Sequence, residues 1–126
     1  MRECITIQSD PTITTYLTDA TNDGYDYIKS LTPFRPTGFL RHAPFVDAGP
    51  SNQGTLFKFS FGKLNAGQSR TFNMYYGATA NKAEAEAAMQ AIGAQVYGFA
   101  KPSSPGGQCL DDSNVFIIAF TGVDKA

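Results

Sequence analysis

The sequence predicts a mainly β domain, an antiparallel β-sandwich with one short helix inserted between strands. Two stretches in the middle of the chain alternate apolar and polar residues with the period of two that half-buried strands show. The 12 glycines and 7 prolines suit many turns, and the 10 phenylalanines suit an aromatic interior. At 126 residues the chain is long enough for one core, so 1–126 is predicted to be a single domain.

The first part of the chain predicts short strands separated by turns. Residues 3–8 alternate around two isoleucines, and residues 12–18 are rich in β-branched side chains, so each predicts a strand. Residues 19–26 form an acidic turn. Residues 30–50 contain four prolines and little periodicity, which indicates a long ordered loop or a set of short edge strands.

The centre of the chain predicts an antiparallel hairpin. Residues 55–60 and 69–76 alternate, and a turn rich in glycine and asparagine separates them over residues 62–67. In the second strand one face carries Phe72, Met74 and Tyr76, and the other carries Thr71, Asn73 and Tyr75.

A helix is predicted over residues 81–92. Asn81 can cap its first turn, Glu84 stands three residues later as a capping box requires, and Gly93 suits the left-handed end. The alanines of its apolar stripe predict close packing over a sheet edge or over the open end of the sandwich. Residues 101–112 predict a surface loop, and the nearly apolar residues 114–121 predict a central strand buried on both faces.

The two cysteines, Cys4 and Cys109, stand near opposite ends of the chain. They are either two unrelated buried thiols or a disulfide that joins the first strand to the final loop, and the sequence leaves both possibilities open. A metal site at the pair is disfavoured, because neither cysteine has a histidine or a second cysteine near it in the sequence.

Charge and hydropathy exclude several classes of partner. The net charge of -1 gives no electrostatic basis for binding nucleic acid or an anionic membrane surface. No apolar run approaches the roughly 20 residues of a membrane span, so membrane insertion is not expected. The first residues also lack the pattern of a signal peptide, which would have been removed if the protein is secreted.

No cluster of titratable residues predicts catalysis. His42 is the only histidine, and no serine lies in the G-x-S-x-G context of a nucleophile elbow. Asp111 and Asp112 could pair with Asp19 or Asp23 as the two carboxylates of a glycosidase do, but adjacent acids in a glycine- and serine-rich loop are usually solvated. The glycines match no phosphate-binding loop. The protein is therefore predicted not to be an enzyme and to need no cofactor, with calcium as the one alternative.

The candidate calcium ligands are Asp19, Asp23 and Asp26 in the acidic turn. Asp19 and Asp23 stand at the first and fifth positions of an EF-hand-like loop, but Ser30 stands where such a loop needs a bidentate glutamate. A solvated turn is the default interpretation, and a calcium-stabilised domain is the alternative.

A glycan-binding surface is the alternative to a structural role. The polar strand face offers the ring of Tyr75 for stacking on a sugar, with Asn73 and Thr71 for its hydroxyl groups. Phe39 and His42, in the proline-rich segment, are the other candidates for such a surface. The same residues also suit an ordinary solvent-exposed sheet face and loop.

A series of motifs runs from Leu64 to Val123: L-x-x-G-x-S, T-F-x-x-Y-Y-G-A, an alanine-rich helix, G-A-x-V-Y and F-I-x-A-F-x-G-V. The series resembles a β-sandwich module found near the C-termini of large secreted or surface-anchored bacterial multidomain proteins. Residues 6–8, 22–25 and 46–50 also look like that module, so the resemblance spans nearly the whole chain. The resemblance implies a secreted or cell-surface location and brings no catalytic residues. In that module further strands precede the segment matching residues 3–8, which implies that the first strand here is an unpaired sheet edge.

The sequence therefore predicts a non-catalytic extracellular structural or adhesive module that self-associates or binds a partner chain at a sheet edge. The alternative is a small lectin-like domain that binds a glycan.

Overall fold

The computed structural model describes residues 2–23 and 41–125. Within these ranges the fold is mainly β, with two antiparallel sheets and one short helix in a β-sandwich-like arrangement, as predicted. The elements are β1 (Glu3–Ser9), β2 (Leu17–Thr21), β3 (Phe45–Ser51), β4 (Leu56–Phe59), β5 (Asn73–Thr79), α1 (Lys82–Ile92), β6 (Val96–Pro102) and β7 (Val115–Thr121).

The larger sheet has five strands in the order β3-β1-β6-β7-β5, and the smaller sheet pairs β2 with β4. The smaller sheet packs on one face of the larger sheet. Its Phe57 and Phe59 rings lie 5.1 and 4.9 Å from the ring of Phe120. Phe57 also packs against a cluster that contains the buried side chains of Ile5 and Ile7. The apolar residues that alternate along β1, β4 and β7 therefore form the core between the sheets.

The predicted capping residues of helix α1 are confirmed. The amide of Glu84 donates to Asn81 Oδ1 at 2.9 Å, and the Glu84 carboxylate accepts from the amide of Ala80 at 3.1 Å. Gly93 ends the helix with φ 67°, a left-handed conformation that glycine adopts without a steric cost. Buried Ala85 and Met89 pack on β6 and β7. The helix thus covers the second face of the larger sheet, and not a sheet edge or the open end of the sandwich.

The predicted hairpin is wrong in its pairing. β4 pairs with β2, with Leu17 opposite Phe59, whereas β5 pairs with β7. The chain crosses from the smaller to the larger sheet between residues 59 and 73. Phe72, at the end of this crossing, contacts the rings of Phe59 and Phe61 at 6.4 and 5.3 Å. Alternation identified the faces of the two strands correctly, but it carries no information about which strand is the neighbour.

The first strand is also not a sheet edge. β1 lies between β3 and β6, and residues 4–7 are buried on both faces. Among the described strands β3 is the outer one, so the end of the proline-rich segment belongs to a strand, Phe45–Ser51, at the edge of the described sheet. β2 begins at Leu17, which moves the second predicted strand towards the C-terminus and places Asp19 in a strand, not in a turn.

Candidate functional site

The free edge of the larger sheet at β5 is the most exposed regular element that the structure describes. β5 pairs with β7 over seven consecutive residues, from Asn73 opposite Thr121 to Thr79 opposite Val115, without a register shift. Among the described strands no other one pairs with β5. The strand contains neither a charged residue nor a proline. These are the devices that usually keep an edge strand from pairing with another chain.

Apolar side chains are exposed along this edge. Met74 is 54% exposed, Tyr76 80%, and Phe116 on the neighbouring strand 57%. Residues directly opposite in an antiparallel pair share a face, so Ala78, opposite Phe116, belongs to the same surface. We call Met74, Tyr76, Ala78 and Phe116 the β5 patch.

The β5 patch lies on the strand face that carries Phe72, Met74 and Tyr76. Phe72, on the same face, contacts the smaller sheet through Phe59 and Phe61, but Met74 and Tyr76 remain largely exposed. The smaller sheet also leaves Phe116 of β7 exposed, so β7, which was predicted to be buried on both faces, is buried only in part. Periodicity could identify this face but not how far the second sheet extends over it.

The predicted sugar-binding residues of β5 lie on the opposite face, on the side of α1. Asn73 Nδ2 donates to Thr121 Oγ1 at 3.2 Å, and Tyr75 is 38% exposed. Thr71 is exposed just before the strand begins. His42 is not part of this surface, because it bridges to Thr21 in the smaller sheet. Phe39 lies outside the described residues.

The predicted calcium ligands are only partly described. Asp19 Oδ1 contacts His42 Nδ1 at 2.8 Å, so the carboxylate of Asp19 already has a partner. Asp26 lies outside the described residues. Within residues 2–23 and 41–125, no group of three or more potential metal-ligating side chains is found. Calcium binding therefore stays a prediction.

A buried lysine forms a second cluster that the sequence did not predict. Lys101, expected in a surface loop, belongs to β6 and is 1% exposed. Its Nζ contacts Asp47 Oδ1 at 2.8 Å and also contacts Asp111 Oδ1. The backbone of Asp47 is fixed by a hydrogen bond, in which its amide donates to Thr6 Oγ1 at 2.9 Å. Asp111 is held through its carbonyl, which accepts from the amide of Lys82 at 2.9 Å.

The charges in this cluster stabilise one another. Burial disfavours the ammonium charge of Lys101, but hydrogen bonds and charge attraction from Asp111 and Asp47 outweigh burial and raise the pKa of Lys101. The hydrogen bond from Lys101 in turn lowers the pKa of Asp111. We call Lys101, Asp47 and Asp111 the Lys101 cluster. No local signal could reveal it, because its members come from three separate segments.

The disulfide alternative for the cysteines is confirmed. Cys4 and Cys109 are bonded, with their Cα atoms 5.8 Å apart. Cys4 lies directly opposite Lys101 in the pairing of β1 with β6. The disulfide and the Lys101 cluster therefore tie the same loop, between β6 and β7, to the sheet.

A cleft of about 490 Å³ lies between α1 and the end of β1. Tyr97 lines it, and its hydroxyl donates to Gln8 Oε1 at 3.0 Å. Burial, together with the negative charges of Glu86 and Asp10, raises the pKa of Tyr97, so the phenol stays protonated and neutral. Ser9 and the carboxylates Asp10 and Glu86 also line the cleft.

None of the described helices is long and apolar enough to cross a membrane. Comparisons of the chain with protein-family models, with curated proteins and with solved structures found no match. The resemblance of the chain to a bacterial surface module stays a prediction from the sequence motifs.

Proposed function

We propose that this protein is a non-catalytic structural or adhesive module that assembles with a second copy of itself by strand pairing at β5. The observation that carries the proposal is the combination of a regular, uncharged edge strand with the exposed β5 patch beside it. An edge strand presents unpaired backbone groups that a further strand can complete without any rearrangement of the sheet.

The geometry of β5 favours a symmetric pair. Tyr76 is the middle residue of Asn73–Thr79, so antiparallel pairing about a two-fold axis through this residue sets Tyr76 beside its copy. Met74 of each chain then lies opposite Ala78 of the other, and the two β5 patches form one continuous apolar surface. Aromatic pairs across neighbouring strands add to the stability that the backbone hydrogen bonds provide.

The other edge of the sheet is less suited to pairing. The register of β3 against β1 shifts twice, between Glu3 and Ile5 and again between Ile5 and Ile7. β3 also contains Pro50, which has no amide hydrogen to donate, and Asp47, whose carboxylate is held by Lys101. These irregularities leave β5 as the better candidate.

An extracellular location accompanies this proposal. The Cys4–Cys109 disulfide suits an oxidising compartment, where a structural disulfide persists. A secreted or cell-surface module of this kind combines a disulfide within each chain with a non-covalent contact between chains.

The test is the mass of the protein in solution, measured by size-exclusion chromatography with light scattering over a range of concentrations. One added strand buries an area near the lower end of stable interfaces, about 1,200 Å² in total, so we expect a dimer with a Kd in the micromolar range. Tyr76→Lys sets two like charges beside each other and is expected to give a monomer. Tyr76 is 80% exposed, so this change should leave the folded monomer intact.

The matched control is Val46→Lys, which places the same charge on the other edge strand at a residue that is 57% exposed. This variant is expected to dimerise as the wild type does. A wild-type protein that stays monomeric up to millimolar concentration, or a dimer that Val46→Lys abolishes and Tyr76→Lys does not, contradicts the proposal.

A further inference from the structure

The Lys101 cluster brings together a nucleophile, an electrophile and a group that can move protons. Lys101 is the largest side chain that is fully buried among the described residues, and both of its carboxylate contacts are made by Nζ. The ammonium group has three N–H donors, and two of its partners are carboxylates from separate segments of the chain. Nζ therefore contacts one carboxylate with which it can form a bond and a second one that can accept a proton from it.

We propose that Lys101 and Asp111 become joined by an amide bond between Nζ of the lysine and Cγ of the aspartate. Asp47 carries one proton from the nitrogen to the departing hydroxyl group. The product is an intramolecular crosslink from β6 to the loop that precedes β7.

The reaction balances without an oxidant, a reductant or a co-substrate. Transfer of one ammonium proton to the carboxylate of Asp111 leaves a neutral amine and a neutral acid. The lone pair of Nζ attacks Cγ and forms the C–N bond, and Asp47 accepts a second proton from the nitrogen. Asp47 then returns this proton to the departing hydroxyl group, the C–O bond breaks, and one molecule of water leaves. The carboxylate of Asp47 is regenerated.

The structure holds each participant in place. Asp111 is anchored through its carbonyl to the amide of Lys82, and the carboxylate of Asp47 is oriented by the hydroxyl of Thr6. Asp47 has φ 50°, the one positive φ outside glycine among the described residues, and such strained positions often accompany chemistry. Fixing reacting groups in contact replaces an encounter between molecules, and effective molarities of about 10⁵ M or more are known for well-oriented pairs.

The ionised pair is the resting state before the reaction, because the charges on Lys101 and Asp111 favour each other. The neutral pair that reacts is therefore a minor species, and the bond forms slowly. A single event per molecule is sufficient, because the crosslink is a permanent part of the protein and no turnover is required. Side-chain exposure of 59% at Asp111 lets the water molecule leave into solvent.

The test is the intact mass of the purified protein after denaturation and reduction. We expect a mass lower by one water molecule than the fully reduced sequence requires. Lys101→Arg keeps the positive charge but removes the nucleophile, and Asp111→Ala removes the electrophile, so both variants are expected at full mass. The matched control Asp112→Ala changes the neighbouring acid and is expected to keep the loss of water.

The position of the bond can be read from a tryptic digest. Because Pro102 follows Lys101, residues 83–125 remain on one peptide. We expect this peptide to be lighter by one water and to yield no backbone fragments between residues 101 and 111. Asp47→Ala retains both bonded groups but lacks the proton carrier, so its crosslinked fraction is expected to fall at least tenfold at equal age.

Several results would overturn the proposal. A wild-type chain at full sequence mass shows that the cluster is only an ion pair. A loss of water that persists in Lys101→Arg shows a succinimide or another dehydration. A covalent link between the tryptic peptides 42–58 and 83–125 shows that Lys101 is bonded to Asp47 and not to Asp111. If Lys101→Arg fails to fold, Asp111→Ala, at a more exposed side chain, gives the same answer.

Discussion

The disulfide should contribute a large share of the stability of this domain, and Cys109→Ala tests this. Cys4 and Cys109 are 105 residues apart, so the bond closes almost the whole chain into one loop. On the chain-entropy model, a loop of this size removes about 4.7 kcal/mol of conformational freedom from the unfolded state. Domains of this size have a total free energy of unfolding of about 5–15 kcal/mol. We therefore expect Cys109→Ala to lose a third or more of the stability.

The assay is equilibrium unfolding in guanidinium chloride, followed by far-UV circular dichroism because the chain has no tryptophan. Changing Cys109 alone avoids a cavity, since the fully buried thiol of Cys4 remains in place. Gln108→Ala, at the exposed neighbouring residue, is the control and is expected within about 0.5 kcal/mol of the wild type. A loss below about 1 kcal/mol in Cys109→Ala would refute the entropic argument. The Lys101–Asp111 bond cannot mask this loss, because it closes only a local loop.

Two smaller predictions concern the helix cap and the dependence on pH. Asn81→Ala removes the acceptor of the Glu84 amide and is expected to lower the free energy of unfolding by about 1 kcal/mol, whereas Asn81→Asp should preserve it in the same denaturant assay. The hydrogen bonds from Thr12 lower the pKa of Asp10 below its usual 3.8. This interaction therefore stabilises the fold above that pH and is lost as the pH falls through the lowered value. We expect the melting temperature of the wild type to exceed that of Asp10→Asn at pH 7, and the difference to vanish under strong acid; a difference unchanged by pH would contradict this origin.

The elements that the sequence predicted well are those with local signals. The helix could be predicted to within a residue, because Asn81, Glu84 and Gly93 satisfy backbone groups that lie one turn away in the chain. β1 could be predicted as a strand because its residues alternate around two isoleucines, and β7 because its residues are nearly all apolar. In each case the information lies within about ten residues of the element.

Strand pairing could not be predicted in this way. The hairpin of β4 with β5 was favoured by a short turn, but β4 pairs with β2, and its Phe57 and Phe59 rings pack on Phe120. Likewise β1 was expected at an edge, although its residues 4–7 are buried on both faces. The choice of neighbour depends on how much apolar area each arrangement buries over the whole chain, which no single segment contains.

The candidate sites were missed for the same reason. Met74 and Tyr76 have the alternation of buried residues, and only the extent of the smaller sheet leaves them exposed. Lys101 and Asp111 look like ordinary loop residues, and only the fold brings Asp47 to them. The bond between Cys4 and Cys109 was one of two possibilities until β1 and the final loop came together.

The two sides of the larger sheet differ in a way that separates stability from assembly. The disulfide and the Lys101 cluster both act on β1, β3 and β6, whereas the β5 patch lies beyond β7 at the opposite edge. Residues that share no contacts usually contribute independently to stability. A charge at Tyr76 should therefore abolish association and leave the unfolding of the monomer unchanged. Loss of the Cys4–Cys109 bond should weaken the fold while the remaining native protein still dimerises. Such independence is what a structural module needs, because a crosslinked end maintains the fold while the regular, apolar end stays available to a second chain.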